Sequence, residues 1–293
     1  KQEAYLNREY YYPAKPKDKW ILGVQGGLSL LQGDVSPTAF RNHPTKLPGW
    51  NVGGYLQKSM GYIASFRLRY NFHRLHGQSD FATEGGIARN ANPVLRPYWS
   101  DGQQFIVDNY RVTAHEMDVD FLIHFGGQRY HKERSKINFY VLASVGVALW
   151  NTQANLLDSA GQIYDYNTLV SNAVNVPPGE RGQFYLDELY GGILDDDFET
   201  RAHYGGFGVD IGDRDYQILP KFEVGFGFSV RCTRWLFFNF ETRANITFND
   251  YLDGQAWQDN GGLTPNNDVY FVSDIGLGFQ LGKKRIEPYV WLN

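Results

Sequence analysis

A period of two runs through the chain. From Tyr62 to Phe72 the even positions are Tyr62, Ala64, Phe66, Leu68, Tyr70 and Phe72, with Ser65, Arg67, Arg69 and Asn71 between them. Such alternation is that of a β-strand with one apolar and one polar face. Seven further segments read the same way: Trp20 to Leu30, Trp50 to Gln57, Tyr110 to Phe125, Ile137 to Trp150, Lys221 to Val230, Leu236 to Ile246 and Val269 to Leu281. In the fourth strand, Met117, Val119, Phe121, Ile123 and Phe125 share one face, and Glu116, Asp118, Asp120 and His124 share the other. Alternation loses its phase near Ala114 and His115, which predicts a bulge, or a strand leaving its membrane, at that point.

The apolar faces are too extensive for one soluble sheet to hide. A closed barrel, apolar outside and polar inside, accommodates them if the surrounding solvent is lipid. Segments of about ten residues, tilted by about 45°, are long enough to cross a bilayer. The fold class expected is therefore all-β: an eight-stranded antiparallel transmembrane β-barrel. Its connections alternate in length. Those after strands two, four and six are 58–61, 126–136 and 231–234; those after strands one, three, five and seven are about 31–49, 73–109, 151–220 and 249–268. Outer-membrane barrels have short periplasmic turns and longer extracellular loops. An even strand number puts both termini on the periplasmic side.

Bulk composition points elsewhere, towards a soluble acidic protein, with mean hydropathy −0.44 and formal charge −4 over 293 residues. Barrel strands spend half their residues on lipid, and polar loops lower the average further. No stretch approaches the roughly 18 continuous apolar residues of a membrane helix. Aromatics at 16% and 32 glycines suit girdles, tight turns and crowded interiors. The single cysteine, Cys232, permits no internal disulfide and reads as an incidental thiol in a turn. The chain opens on Lys1, Gln2 and Glu3, and a secretory signal is expected to have been removed from it. Loop 151–220 holds twelve Asp or Glu against three Arg and no Lys. Turns and tails carry Lys58, Arg129, Lys132, Arg134, Arg231, Arg234, Lys283, Lys284 and Arg285, a basic rim suited to anionic head groups or peptidoglycan carboxylates.

On one lumen the inward charges are Arg67, Arg69, Lys221 and Arg243 against Glu116, Asp118, Asp120, Glu223, Glu241 and Asp274. Lone charges in so narrow a space are costly, so these ten are expected to form an interior ion-pair network. Arg67 and Arg69 should meet the Glu116, Asp118 and Asp120 ladder. An eight-stranded barrel has room for side chains and little else, which favours a plugged polar core over a channel or proton path.

Other chemistry finds little footing. His115 with Asp108, or His203 with Asp210, could make a rim catalytic pair, but spacing across loops supplies no geometry. The expectation is no enzyme activity and no catalytic residue. The Asp195-Asp196-Asp197 run and the Asp210, Asp213 and Asp215 group could gather calcium in the third long loop, without EF-hand spacing; otherwise no cofactor or metal is expected. Gly205-Gly206-Phe207-Gly208 precedes no predicted helix and says nothing of phosphate, and no basic-aromatic stripe suggests nucleic acid.

The closing segment, Gly276-Leu277-Gly278-Phe279-Gln280-Leu281-Gly282-Lys283-Lys284, followed by Glu287-Pro288-Tyr289-Val290-Trp291-Leu292-Asn293, resembles the end of the barrel in OmpA-like outer-membrane proteins of the Bacteroidetes type. The resemblance, with its topology, covers about residues 20–282. It implies a periplasmic tail at 1–19, the barrel at 20–282, and at 283–293 the start of a linker to a peptidoglycan-binding domain outside this sequence. The function implied is a bacterial outer-membrane anchor, with membrane lipids as partners and peptidoglycan reached through that domain. Two rival readings are an accessory barrel in a larger outer-membrane complex (protein insertion, secretion or nutrient uptake) and a small-solute pore. Tyr164, Tyr166, Phe184, Tyr185, Tyr190 and Trp257 are candidate partner surface for a complex, since aromatics dominate hot spots.

Overall fold

A computed structural model describes residues 4, 7, 9, 20–35, 49–60, 63–84, 105–125, 137–203, 207–211, 214–233, 235–256 and 267–281. The strands are β1 (Trp20–Gln32), β2 (Gly49–Ser59), β3 (Ala64–Gln78), β4 (Thr83–Glu84), β5 (Phe105–Ile106), β6 (Asn109–His124), β7 (Ile137–Ala154), β8 (Thr200–Arg201), β9 (Phe207–Ile211), β10 (Arg214–Arg231), β11 (Leu236–Thr247) and β12 (Val269–Leu281). Eight of them form an antiparallel ring in the order β7-β6-β3-β2-β1-β12-β11-β10, closed by β7 against β10. Closure leaves the ring no free edge. The tail at 1–19 apart from residues 4, 7 and 9, the linker at 283–293 and the basic residues Arg129, Lys132, Arg134, Arg234, Lys283, Lys284 and Arg285 lie outside the described residues.

Alternation of burial follows alternation of sequence. Along the middle of β3, Phe66, Leu68 and Tyr70 are exposed, while Ser65, Arg67, Arg69 and Asn71 are buried. The polarity is the reverse of a soluble core: Leu22, Val24, Val52, Val119, Val145, Phe226 and Ile275 all face outward. Aromatic groups bound this belt at both ends. At the short-turn end Trp235 stacks on Phe279 and Lys58 sits over the Trp20 ring. At the other end Trp50, Phe72, His115 and Tyr216 form a chain of ring contacts with centroids 5.1–5.8 Å apart. From Trp20 to Leu28, the residue opposite Trp50, the strand rises about 26 Å, or roughly 20 Å of height at barrel tilt. Such a belt approaches the ~25 Å apolar band of transmembrane barrels.

The predicted strands are too short at the long-loop end. β3 continues to Gln78 and β7 to Ala154, and β10 begins at Arg214 instead of 221. The expected bulge at Ala114 and His115 is absent, since β3 and β6 pair without interruption from Ala64↔Ile123 to Gln78↔Asn109. Phase seemed lost there because the inward face changes character. Below, it carries Glu116, Asp118 and Asp120; above, it carries Tyr110, Val112 and Ala114, all buried. These three join Leu31, Leu75, Ala148, Trp150, Leu219, Tyr270 and Val272 in an apolar layer across the upper lumen. The lumen is thus ionic in its middle and largely apolar above, while Ser65, His124, Asn138 and Ser229 keep its lower end polar.

Loop 151–220, read from the sequence as a long acidic connection with aromatic partner surface, is a folded unit. After β7 it forms α1 (Tyr166–Ala173) and α2 (Arg181–Glu188), then a π-helical turn at Leu189–Ile193. Asp165 caps α1, accepting from Thr168 N at 3.0 Å, and Tyr166, Leu169 and Ala173 fall on its buried face. They pack with Ile106, Val107, Leu156, Tyr164, Tyr185 and Leu189 in a small second core. Tyr164, Tyr166 and Tyr185 are therefore buried packing residues, and this corrects their reading as partner surface. Phe184 and Tyr190 are half-buried, and Trp257 lies outside the described residues. Aromatics in so polar a loop were the sign of its own core.

Candidate functional site

The charged middle of the lumen is built by the inward positions of five strands, β3, β6, β10, β11 and β12. Arg67 on β3 donates from Nε to Asp120 on β6 at 2.5 Å. Its two terminal nitrogens cross the lumen to both oxygens of Glu241 on β11, at 2.9 Å each. Arg69 reaches Asp118 and Asp120 at 3.2 Å and Glu223 on β10 at 2.5 Å. Lys221 bonds Glu116 at 2.6 Å, Asp118 at 3.0 Å and Glu223 at 3.3 Å. Arg243 pairs with Asp274 on β12 and lies 3.3 Å from Glu241. Every side chain in this group of ten is at most 4% exposed. Of the predicted ladder, Asp118 and Asp120 meet the arginines, whereas Glu116 is held by Lys221 and by His73 Nε2 at 3.1 Å.

Sequence reasoning missed the neutral groups that complete this layer. Tyr140 donates to Glu241 at 2.9 Å, Tyr270 to Glu116 at 2.6 Å, Ser144 to Asp120 at 2.7 Å and Gln25 to Asp274 at 3.1 Å. Six carboxylates against four cations leave two in excess, and these donors help to solvate them. The signal was available: each is an inward position of its strand, but a lone Tyr or Ser carries no charge to draw attention.

Beneath the ionic layer, Leu122, Tyr140 and Leu142 form a further apolar group. Here bulky rings fill space left by glycines. A Cβ on Gly23 would stand 2.0 Å from the Tyr55 ring, and one on Gly278 would stand 2.1 Å from Phe237. Along the axis an apolar layer thus lies above the ionic one, and a mixed layer of Leu122, Tyr140 and Leu142 with Ser65, His124 and Asn138 lies below it.

The long-loop end carries a second group of acids, well above the belt. Asp253 and Asp268 are buried, and a Cβ on Gly33 would lie within 2.5 Å of an oxygen of each. Asp253 accepts from Val35 N at 2.8 Å and Gln255 N at 2.9 Å; Asp268 accepts from Leu252 N at 2.8 Å. Burial pushes Asp253 up to about 8, and burial together with the Asp253 charge pushes Asp268 up to about 9. Asp108 is raised by burial to about 7 and accepts from Thr83 at 3.2 Å. Trp150 Nε1 and Thr152 Oγ1 both donate to Leu252 O, fastening the fourth long loop over the apolar layer.

The candidate catalytic pairs find other neighbours. His115 points outward into the aromatic chain and bonds Tyr70 OH at 2.8 Å, away from Asp108, which holds Thr83. His203 lies 3.7 Å from Asp215, with burial lowering its pKa, while Asp210 stands on β9 opposite Asp215. Asp215 itself pairs with Arg201. Asp195, Asp196 and Asp197 are exposed, and Asp195 accepts from Asp197 N at 3.0 Å. Asp213 and the Gly205-Gly206 pair lie outside the described residues. Among the described residues no three His, Cys, Asp or Glu side chains converge as a metal site would require. A cleft of about 670 Å³ opens in the loop unit between Phe81, Phe105, Val170, Arg181 and Tyr185.

Fold and polarity together define the class: a closed eight-stranded β-barrel with an apolar exterior and a charged, side-chain-filled interior. No protein family model matches the chain, and no curated protein does. Among solved structures it is similar to the N-terminal β-barrel domain of Pseudomonas aeruginosa OprF, at 11% identity and TM-score 0.36 over 92% of this chain and 100% of that one. It is similar also to Neisserial surface protein A, at 8% identity and TM-score 0.41 over 90% and 97%. A third is Ail, the attachment invasion locus protein of Yersinia pestis, at 4% identity and TM-score 0.37 over 90% and 99%. At such scores the likeness carries no weight for what this protein does.

Proposed function

We propose that this chain is the membrane-spanning part of a non-enzymatic outer-membrane anchor, tied to the cell wall through a periplasmic domain that follows the barrel. One observation carries the reading: the middle of the lumen is filled by ten buried, mutually paired charged side chains beneath an apolar layer, which suits a rigid membrane fixture better than a passage. The apolar belt supports immersion in lipid, because a closed strand ring satisfies its own backbone within hydrocarbon. Short turns then face the periplasm, and the folded loops face outward. The tie to peptidoglycan rests on the resemblance of residues 276–293 to the OmpA-like barrels of Bacteroidetes.

The test uses the native protein extracted from cell envelopes. It should float with outer-membrane fractions, remain electrically silent in planar bilayers, and sediment with purified sacculi in mild detergent. Discrete conductance steps would overturn the sealed-barrel part. Failure to sediment with sacculi, from a protein that still fractionates with the outer membrane, would overturn the anchoring part alone.

A further inference from the structure

Above the belt the strand ring changes partners. β10 last pairs with β11 at Lys221↔Thr247, yet it continues upward to Arg214. Gln217 and Ile218 meet Trp150 and Leu149 of β7 on one side and Gly208 and Phe207 of β9 on the other. β9 therefore takes the place of β11 beside β10. Its far side is an open edge: among the described residues no other strand pairs with it. Phe207 is 82% exposed and Ile211 48%, and Gly208 and Asp210 are exposed as well.

The edge stands at a particular height. Val209 is opposite Tyr216, which belongs to the upper aromatic chain, so β9 straddles the rim of the belt. Unpaired backbone groups are costly where water is scarce, and open edges invite an added strand. The two faces differ. Phe207, Val209 and Ile211 continue the outward row of Tyr216 and Ile218, whereas Asp210 lies on the other face, opposite Asp215. Around them the loop holds twelve acidic residues against three basic ones. A second copy of this chain would bring two such acidic loops together, and like charges in contact are disfavoured.

We propose that β9 receives an extended segment of a partner protein as an added strand, the segment alternating apolar residues with lysine or arginine. Backbone hydrogen bonds to the free side of β9 supply the attachment. The row of Phe207, Val209 and Ile211 selects apolar side chains on one face, and Asp210 selects cations on the other. The proposal stands apart from any tie to the cell wall.

The probe is a fluorescent seven-residue peptide alternating lysine and valine, titrated against the protein in phosphatidylcholine nanodiscs, with empty nanodiscs as control. Two altered peptides accompany it: one N-methylated at alternate amides, and one with glutamate for lysine. Saturable binding should weaken at least about tenfold on N-methylation, since the mode rests on main-chain bonds. It should be lost with glutamate and weaken severalfold in Asp210→Lys, whose folding is verified by heat-dependent gel migration. Equal binding of methylated and unmethylated peptides would overturn the strand-addition mode. An unaffected Asp210→Lys would overturn the charge selection. Absence of saturable binding, or a dimer abolished by Phe207→Ser, would overturn the assignment of the edge to a foreign segment.

Discussion

Arg67 is the residue whose loss should cost most. It holds Asp120 at 2.5 Å and Glu241 at 2.9 Å, closer than Arg69 stands to the same two groups at 3.2 and 3.6 Å, and both carboxylates lie out of water, with side chains at 0% and 4% exposure. Arg67→Ala takes the nearest cation from both buried anions and opens a void beside them, leaving Arg69 and Arg243 as their remaining cationic neighbours. Breaking a buried pair by removing one partner costs about 3–5 kcal/mol, because the remaining charge stays unsolvated. Arg201→Ala supplies the contrast. That side chain is 48% exposed, its ion pair with Asp215 is open to solvent, and the expected loss is within about 1 kcal/mol. Arg67→Lys should fall between them, since an ammonium keeps the charge but lacks the fork that grips both oxygens of Glu241. The assay is urea unfolding in lipid vesicles, followed by tryptophan fluorescence and by the heat-shifted band on gels. With a urea slope of about 1–3 kcal/mol per M, the Arg67→Ala midpoint should drop by at least about 1 M. Equal midpoints for Arg67→Ala and Arg201→Ala would refute the claim that the ionic layer is dry and mutually dependent.

Two further expectations follow from the layers above and below. Gly23→Val should destabilise the barrel by about 1–3 kcal/mol by forcing the Tyr55 ring from its seat, and pairing it with Tyr55→Ala should recover part of that loss in the same unfolding assay. Asp253 and Asp268 hold their protons far above the ordinary carboxylate value of 3.8, so folding takes up protons. Their contribution is therefore complete below about pH 4 and is lost as pH rises through about 8 and 9. Limited proteolysis should accordingly cut the first and fourth long loops faster at pH 10 than at pH 6, and Asp253→Asn with Asp268→Asn should flatten that difference.

What could be seen in advance followed from locality. In and out positions of β3, β6, β7 and β11 were legible because a period of two needs only neighbouring residues. The wide cross-lumen bonds were not. Arg67 and Glu241 stand 174 residues apart, and which of them meet depends on the stagger of the closed ring, which no single segment encodes. The bulge expected at Ala114 and His115 was misread for a related reason: an inward row that turns apolar, with Tyr110, Val112 and Ala114, imitates a shift of phase. Tyr164, Tyr166 and Tyr185 looked like surface because long loops usually lack a centre, yet this one buries enough to have its own. His73 went unnoticed beside Glu116 because a lone histidine in a strand has many ordinary explanations.

The bond from Arg67 to Glu241 joins an early hairpin to a late one. Arg67 finds Asp120 on the neighbouring β6, but Glu241 meets its fork only once β11 stands opposite β3. A nascent chain entering the bilayer strand by strand would carry unpaired Glu241 into hydrocarbon at a cost, which favours insertion coupled to ring closure.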